Sequence, residues 1–255
     1  MRFACLGSGS QGNSLVVESG NTRLLLDCGF TLKEVFIRLE RLGLEAETID
    51  AIVITHEHGD HVGGVARLAR RLGIPIWLTH GTWRHVERTF KLLPRINIIS
   101  GYQRFVIEDI EIEPYPVPHD AQEPAQFVFS DGRRRLGVLT DTGCSTPHIE
   151  ATLNRCDALV LECNHDAQML AAGDYPPRLK QRVGGRFGHL ENSASADLLA
   201  RLDCSRLQHI IAAHLSQKNN TPLLAQTVLS RALNCEPGWI GVADQSEGFG
   251  WRELF

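Results

Sequence analysis

The sequence predicts an α+β protein in which two sheets stack face to face with helices on their outer sides, and two observations carry the prediction. Most strand candidates are short runs that are apolar almost throughout, as expected of strands covered on both faces. Amphipathic helical patterns alternate with strands in both halves of the chain, so the halves share one plan, and stacking them covers the apolar runs. The 255 residues read as a single domain, 1–255, because no long Pro/Gly/Ser linker divides them and no fixed-period repeat recurs.

Arg2–Leu6, Leu15–Glu18 and Arg23–Asp27 read as strands, the last two joined by the turn Ser19-Gly20-Asn21. Leu32, Val35, Phe36, Leu39 and Leu42 recur at helical spacing up to Gly43, and the β-branched run Ile49–Thr55 reads as a strand. Helix Val62–Leu72, strand Ile74–Thr79, helix His85–Leu92 and strand Ile96–Ile99 follow. Strand then succeeds strand at Phe105–Ile107, Ile110–Pro116, Gln126–Ser130 and Arg135–Leu139, with Asp131-Gly132 as a hairpin turn. Strand Ala158–Glu162, helix Ser193–Leu202, strand Leu207–Ala213 and helix Pro222–Leu233 come next. Ile240–Ala243 and Phe249–Leu254 are the last strand candidates. The stretch 176–186, with Pro176-Pro177 and Gly184-Gly185, reads as a mobile loop.

Hydrophobic residues make up 43% of the chain and charged residues 22%, the balance of a soluble globular protein with a packed core. A net charge of −4 gives no general attraction to a polyanion, so nucleic-acid binding would need a local basic patch. The seven cysteines are an odd number without any CxxC pair. Together with a start that shows no export signal, this fits reduced thiols in a cytoplasmic protein and speaks against a disulfide frame, a Cys-rich zinc site or membrane association.

The chemistry is concentrated in His56-Glu57-His58-Gly59-Asp60-His61. His56 and His58 lie two apart directly after a strand and, if extended backbone persists, point to one side while Glu57 points away. Asp60 and His61 follow just before a helix, where Gly59, Gly63 and Gly64 permit sharp turns. Imidazole and carboxylate donors without thiolate suit zinc or manganese, with iron as a further candidate, and six residues cannot fill two coordination shells. His119, Asp141 and His214 each stand at the end of an apolar strand and supply the missing donors. Asp27, at another strand end, reads as a carboxylate that orients a ligand histidine.

These residues resemble the metallo-β-lactamase superfamily, whose HxHxDH signature stands here at 56–61, followed in order by His119, Asp141 and His214. The resemblance covers nearly the whole chain and implies a four-layer αββα sandwich with its metals in a cleft at the sheet edge. A narrower likeness lies in Gly7-Ser8-Gly9-Ser10-Gln11-Gly12-Asn13-Ser14, Leu161-Glu162-Cys163-Asn164-His165-Asp166, Gly188-His189-Leu190-Glu191-Asn192 and Ala213-His214-Leu215-Ser216-Gln217-Lys218-Asn219-Asn220. These look like the YycJ/WalJ group, related to ribonuclease Z and PhnP-type phosphodiesterases. One departure is Glu191 before Asn192, where Ser is expected.

By position, the resemblance implies His56, His58 and His119 on one divalent ion, Asp60, His61 and His214 on the other, and Asp141 between them, with a metal-bridging hydroxide as nucleophile. Asp60, Glu162 and His189 form the implied catalytic set, the last two as a carboxylate-supported general acid. The implied activity is a phosphodiesterase, a DNA 5′-3′ exonuclease, with DNA ahead of RNA as substrate. Arg178, Lys180, Arg182 and Arg186 would grip substrate phosphates or simply be solvated, and Lys218 and Asn219 are further phosphate contacts. His165 either touches substrate or caps the helix after it. The competing readings are a small-molecule hydrolase of the same superfamily, acting on a cyclic phosphodiester, thioester or lactone, and a non-catalytic metal-binding protein. The sequence leaves the oligomeric state open, a dimer included.

Overall fold

The computed structural model describes residues 1–93 and 95–255. One sheet contains β1 (Arg2–Gly7), β2 (Ser14–Ser19), β3 (Thr22–Leu26), β4 (Ala51–Val53), β5 (Ile76–Thr79) and β6 (Ile96–Ile99). The other contains β7 (Phe105–Ile107), β8 (Ile110–Pro116), β9 (Ala125–Ser130), β10 (Arg135–Leu139), β11 (Ala158–Glu162), β12 (His209–Ala213) and β13 (Gly241–Val242), while β14 (Phe249–Glu253) returns to the first. The spatial orders are β14-β1-β2-β3-β4-β5-β6 and β13-β12-β11-β10-β9-β8-β7. Pairing is parallel from β3 to β6 and from β10 to β13, and antiparallel elsewhere.

Side-chain alternation along each strand explains the layers. Val17 and Leu24 face inward, where they meet Phe127, Phe129, Val160 and Ile211 of the opposite sheet. Their neighbours Val16 and Leu25 face outward and pack with Val35 and Leu39 of α1 (Leu32–Arg41) and Val65 and Leu68 of α3 (Val65–Leu72). On the far side, Leu159, Leu161 and Ile210 pack with Ile149 of α5 (Pro147–Leu153), Leu198 of α8 (Asn192–Arg201) and Leu229 of α9 (Pro222–Leu233). Three apolar layers between four structural layers make the expected αββα sandwich.

The strand and helix boundaries differ from expectation in instructive places. Of the run Ile49–Thr55 only Ala51–Val53 is in the ladder: Ile49 closes a 3₁₀ turn, and Thr55 donates its backbone N–H to Asp27 Oδ1 at 2.9 Å. The helix expected over 62–72 is divided into α2 (Gly59–Val62) and α3, because Gly64 turns its N–H out of the helical ladder onto the Cys28 carbonyl, in a place where a Cβ would meet the Phe30 carbonyl oxygen at 1.9 Å. Another helix, α4 (His80–Phe90), starts earlier than expected because Thr79 caps it. The helix anticipated after His165 is α6 (Ala167–Ala172), and two helices were not anticipated, α5 and α7 (Pro177–Val183). The last corrects the expected mobile loop at 176–186: Pro177 supplies a pre-set first helical residue, and Gly184 caps the end.

The topology delivers the candidate residues to one rim. β3 and β4 run parallel, as do β10, β11 and β12, and β8 shares that direction through two antiparallel steps. The C-terminal ends of these strands therefore open on the same edge, the place where parallel sheets bind ligands. Loop contacts close the rim: Cys28 N donates to His61 O at 2.8 Å, Gly64 N to Cys28 O at 2.8 Å, and Asn13 N to Asp60 O at 2.8 Å. Gly29 sits where a Cβ would stand 1.8 Å from Asp60 O. Gly29→Ala should therefore lower the unfolding free energy by about 1–3 kcal/mol, read as a lower urea midpoint; an unchanged midpoint would contradict this close approach.

Candidate metal centre

Asp27, Asp141 and His214 leave their strands in the left-handed backbone region, with φ of 60°, 51° and 56°. Non-glycine residues there cost on the order of 1 kcal/mol each, so three at one rim mark a place where side-chain aim outweighs local ease. His56 and His58 follow β4, His119 follows β8, and Glu162 ends β11.

Four overlapping groups of possible ligands result, two of them sharing Asp141 (with His56 and His61, and with Glu162, His189 and His214), and the other two lying on either side of it. His56 Nε2 and His58 Nδ1 are 3.0 Å apart, and His119 Nε2 lies 3.3 Å from the same His58 nitrogen. All three ligand atoms fall within a single ion's reach. Outer hydrogen bonds aim them: His56 Nδ1 meets Thr55 Oγ1 at 2.9 Å, and His119 Nδ1 meets the Gly188 carbonyl at 3.0 Å. Glu57 points away, accepting from Gln122 N at 2.7 Å. The second cluster joins Asp60, His61 and His214, with Oδ2 of Asp60 3.6 Å from His61 Nε2 and 3.8 Å from His214 Nε2. Asp27 Oδ2 holds His61 Nδ1 at 2.7 Å and accepts from Thr55 Oγ1.

Asp141 lies between the clusters and is 2% exposed. Its Oδ2 is 3.1 Å from His61 Nε2 and its Oδ1 3.4 Å from His214 Nδ1. Even so, Asp141 Oδ2 and His214 Nε2 are buried without a hydrogen-bond partner. Orphaned donor atoms converging from two sides, all imidazole nitrogen or carboxylate oxygen, fit a pair of divalent ions.

Electrostatics divides the clusters. Burial, reinforced by the charge of His61, pushes the His56 pKa well below the ordinary imidazole value, and burial likewise lowers that of His119. Burial also opposes charge on His61, yet Asp141 and Asp27 outweigh it and raise its pKa well above the usual value. His214 behaves similarly: against burial, Asp141, Asp60 and Glu162 push it up to about 10. Burial would raise the Asp141 carboxyl, but His214 and His61 hold it well below the carboxylate range.

Glu162, fully buried, connects the centre to a third group. Its Oε1 is 2.9 Å from His189 Nδ1 and 3.2 Å from His214 Nδ1, while Oε2 accepts from Thr142 N at 2.9 Å and Leu190 N at 3.3 Å. Burial works against charge on His189, but Glu162 prevails and raises its pKa. His189 lines a cleft together with Asp120, Tyr175, Leu179, Arg182 and His214.

The expected phosphate contacts differ in where the structure places them. Asn219 is 1% exposed, its side chain turned onto Ser216 Oγ. Lys180 places Nζ on the Ala171 carbonyl at 2.5 Å and does not line the cleft. Arg178 and Arg186 are exposed but do not line it, leaving Arg182 as the member of the basic stretch that does, bound to Asp120 Oδ2 at 2.6 Å. Lys218 is exposed on the loop after His214. The helix after His165 is capped by Asp166, which accepts from Met169 N at 2.9 Å, so His165 is not the cap. It is buried beside Asn164.

Sequence reasoning assigned no separate role to Asn13, Ser8 or Asn164. Asn13 Nδ2 lies 3.3 Å from Asp60 Oδ2 and 3.1 Å from His61 Nε2; Ser8 Oγ accepts from His214 N at 3.0 Å; Asn164 donates to His214 O at 2.9 Å. Their only signal was membership of the segments shared with the narrower group.

Residues 22–210 match the beta-lactamase superfamily domain. The chain belongs to the metallo-β-lactamase superfamily. Among curated relatives, exodeoxyribonuclease YycJ of Bacillus anthracis is 33% identical over 257 residues, covering 100% of this chain and 93% of that protein. Exodeoxyribonuclease WalJ of Streptococcus pneumoniae is 34% identical over 240 residues, covering 91% and 88%. The fold is shared with the metallo-β-lactamase fold protein YhfI of Bacillus subtilis, with a TM-score of 0.78 at 17% identity and 98% of each chain covered. This superfamily member is a metal-dependent hydrolase. No helix among the described residues is long and apolar enough to cross a membrane.

The carboxylates around His61 and His214 favour a proton on each when no ion is bound, so metal binding here would displace protons. Titrating stripped protein with zinc or manganese at pH 7 should release about two protons, fewer as pH approaches the His214 value of about 10. Calorimetry in buffers of different ionisation enthalpy reads this number, and a count of zero would contradict the charge assignment.

Proposed function

We propose that this hydrolase is a two-metal phosphodiesterase acting on nucleic acid, and specifically a DNA 5′-3′ exonuclease. His56, His58 and His119 would hold one divalent ion, Asp60, His61 and His214 the other, and Asp141 would contact both. Ions in these positions would supply an activated water and offset phosphodiester charge. Asp27 would keep His61 aimed by its outer nitrogen, and Glu162 does the same for His214 while also gripping His189.

The observation that carries the reading is the His189–Glu162 pair. With Nδ1 engaged by Glu162, the imidazole is held beside the centre on the cleft wall, with Nε2 the ring nitrogen left for a substrate. Glu162 raises its pKa and so favours the protonated ring, which suits protonation of a departing alkoxide. Thioester opening, whose thiolate departs without a proton, has less need of an acid there. The names of the relatives, exodeoxyribonucleases in both cases, support DNA as the substrate.

His189→Ala should keep full metal content and slow cleavage of 5′-labelled DNA by about 10²- to 10⁴-fold, abolishing the loss of rate at alkaline pH that deprotonation of His189 causes. An unaltered rate would remove His189 as the acid. Asp141→Ala should lose both activity and full metal loading, and intact activity would contradict the two-metal arrangement. Wild-type protein that hydrolyses bis-p-nitrophenyl phosphate but no DNA would favour a small-molecule substrate instead.

A further inference from the structure

Tyr175 stands at the bend between α6 and α7 and lines the same cleft as His189, His214, Asp120 and Arg182. Pro176 follows it with φ −54° and ψ 147°, and Pro177 opens α7. A residue before proline is kept out of the helical region, so the ring is offered from stiff backbone. The Lys218 ammonium lies 5.6 Å from the ring centroid. Lys218 comes from the loop that begins at His214, so the pair ties the outer cleft wall to the candidate centre. Arg182 and Lys180 are already engaged by Asp120 and the Ala171 carbonyl, whereas the exposed Lys218 has the Tyr175 ring beneath it.

We propose that Tyr175 and Lys218 form a nucleobase subsite, in which the base of a nucleotide flanking the cleaved bond stacks on Tyr175 and Lys218 holds the adjoining phosphate. The proposal rests on the phosphodiesterase reading above and narrows it. Each base has a π face, so an aromatic platform in a cleft serves any sequence. A base on that platform has left the duplex stack, which makes the substrate end unpaired: single-stranded or frayed DNA should be cut faster than a blunt duplex. Lys218 adds a point charge that attracts phosphate without fixing its geometry.

The test is steady-state cleavage of 5′-labelled single-stranded DNA by wild type, Tyr175→Ala, Tyr175→Phe and Lys218→Ala, with metal content measured for each. Tyr175→Ala should raise KM about 10- to 100-fold, with a much smaller change in kcat and full metal content, and Tyr175→Phe should restore the wild-type KM. DNA made abasic beside the cleaved bond should show the raised KM with wild type and no further loss with Tyr175→Ala. Lys218→Ala should raise KM and flatten its dependence on salt. Wild-type cleavage of DNA with KM equal in Tyr175→Ala, or an unchanged salt dependence in Lys218→Ala, would overturn the subsite. Wild type that cuts bis-p-nitrophenyl phosphate and no DNA would instead overturn the nuclease reading on which it rests.

Discussion

The carboxylate of Asp141 must stay ionised in the interior, and most of the rim is arranged around that requirement. An isolated buried carboxylate would take up a proton, because burial penalises charge by several kcal/mol. Here His61 and His214 close on it from opposite sheets and keep it charged. Those histidines are in turn fixed by Asp27 and Glu162, so alternating charges run from one sheet to the other. The left-handed backbone at Asp27, Asp141 and His214 is the local cost of aiming this chain of groups inward.

Packing gives these charges their fixed frame. Strands that are apolar on both faces are held by a layer of side chains above and below, so their C-terminal ends cannot drift. The loops beyond them then rest on one another: Asn13 on Asp60 and Cys28 on His61 through backbone hydrogen bonds, and the Gly188 carbonyl on the His119 ring. The Gly188 contact has a functional side, because the same turn presents His189. Orientation of a candidate metal ligand and of the candidate acid thus depends on one segment.

Much of the fold was legible because burial on both sides leaves strands without a polar face, and because Val16/Val17 and Leu24/Leu25 divide cleanly between two apolar layers. The cluster at 56–61 was legible because its donors are consecutive. Asp141 and His214 could be found because each ends an apolar run. What escaped was set by tertiary contact. α7 is a short helix with no buried residue, so it carries no periodic signal, and the side chains of Lys180 and Asn219 are turned by the Ala171 carbonyl and the Ser216 hydroxyl through loop conformations that residue type alone does not fix. The shared service of Glu162 to His189 and His214 was likewise hidden, since the three residues are widely separated in the chain.

The central claim is that Asp141 organises two ions, one on each side of it. Anomalous diffraction from crystals of the metal-loaded protein tests this most directly. The account predicts two peaks about 3.5–4 Å apart, one against His56, His58 and His119, the other against Asp60, His61 and His214, with an Asp141 oxygen on each. A single peak at full loading, or two peaks that leave Asp141 uncoordinated, would contradict it.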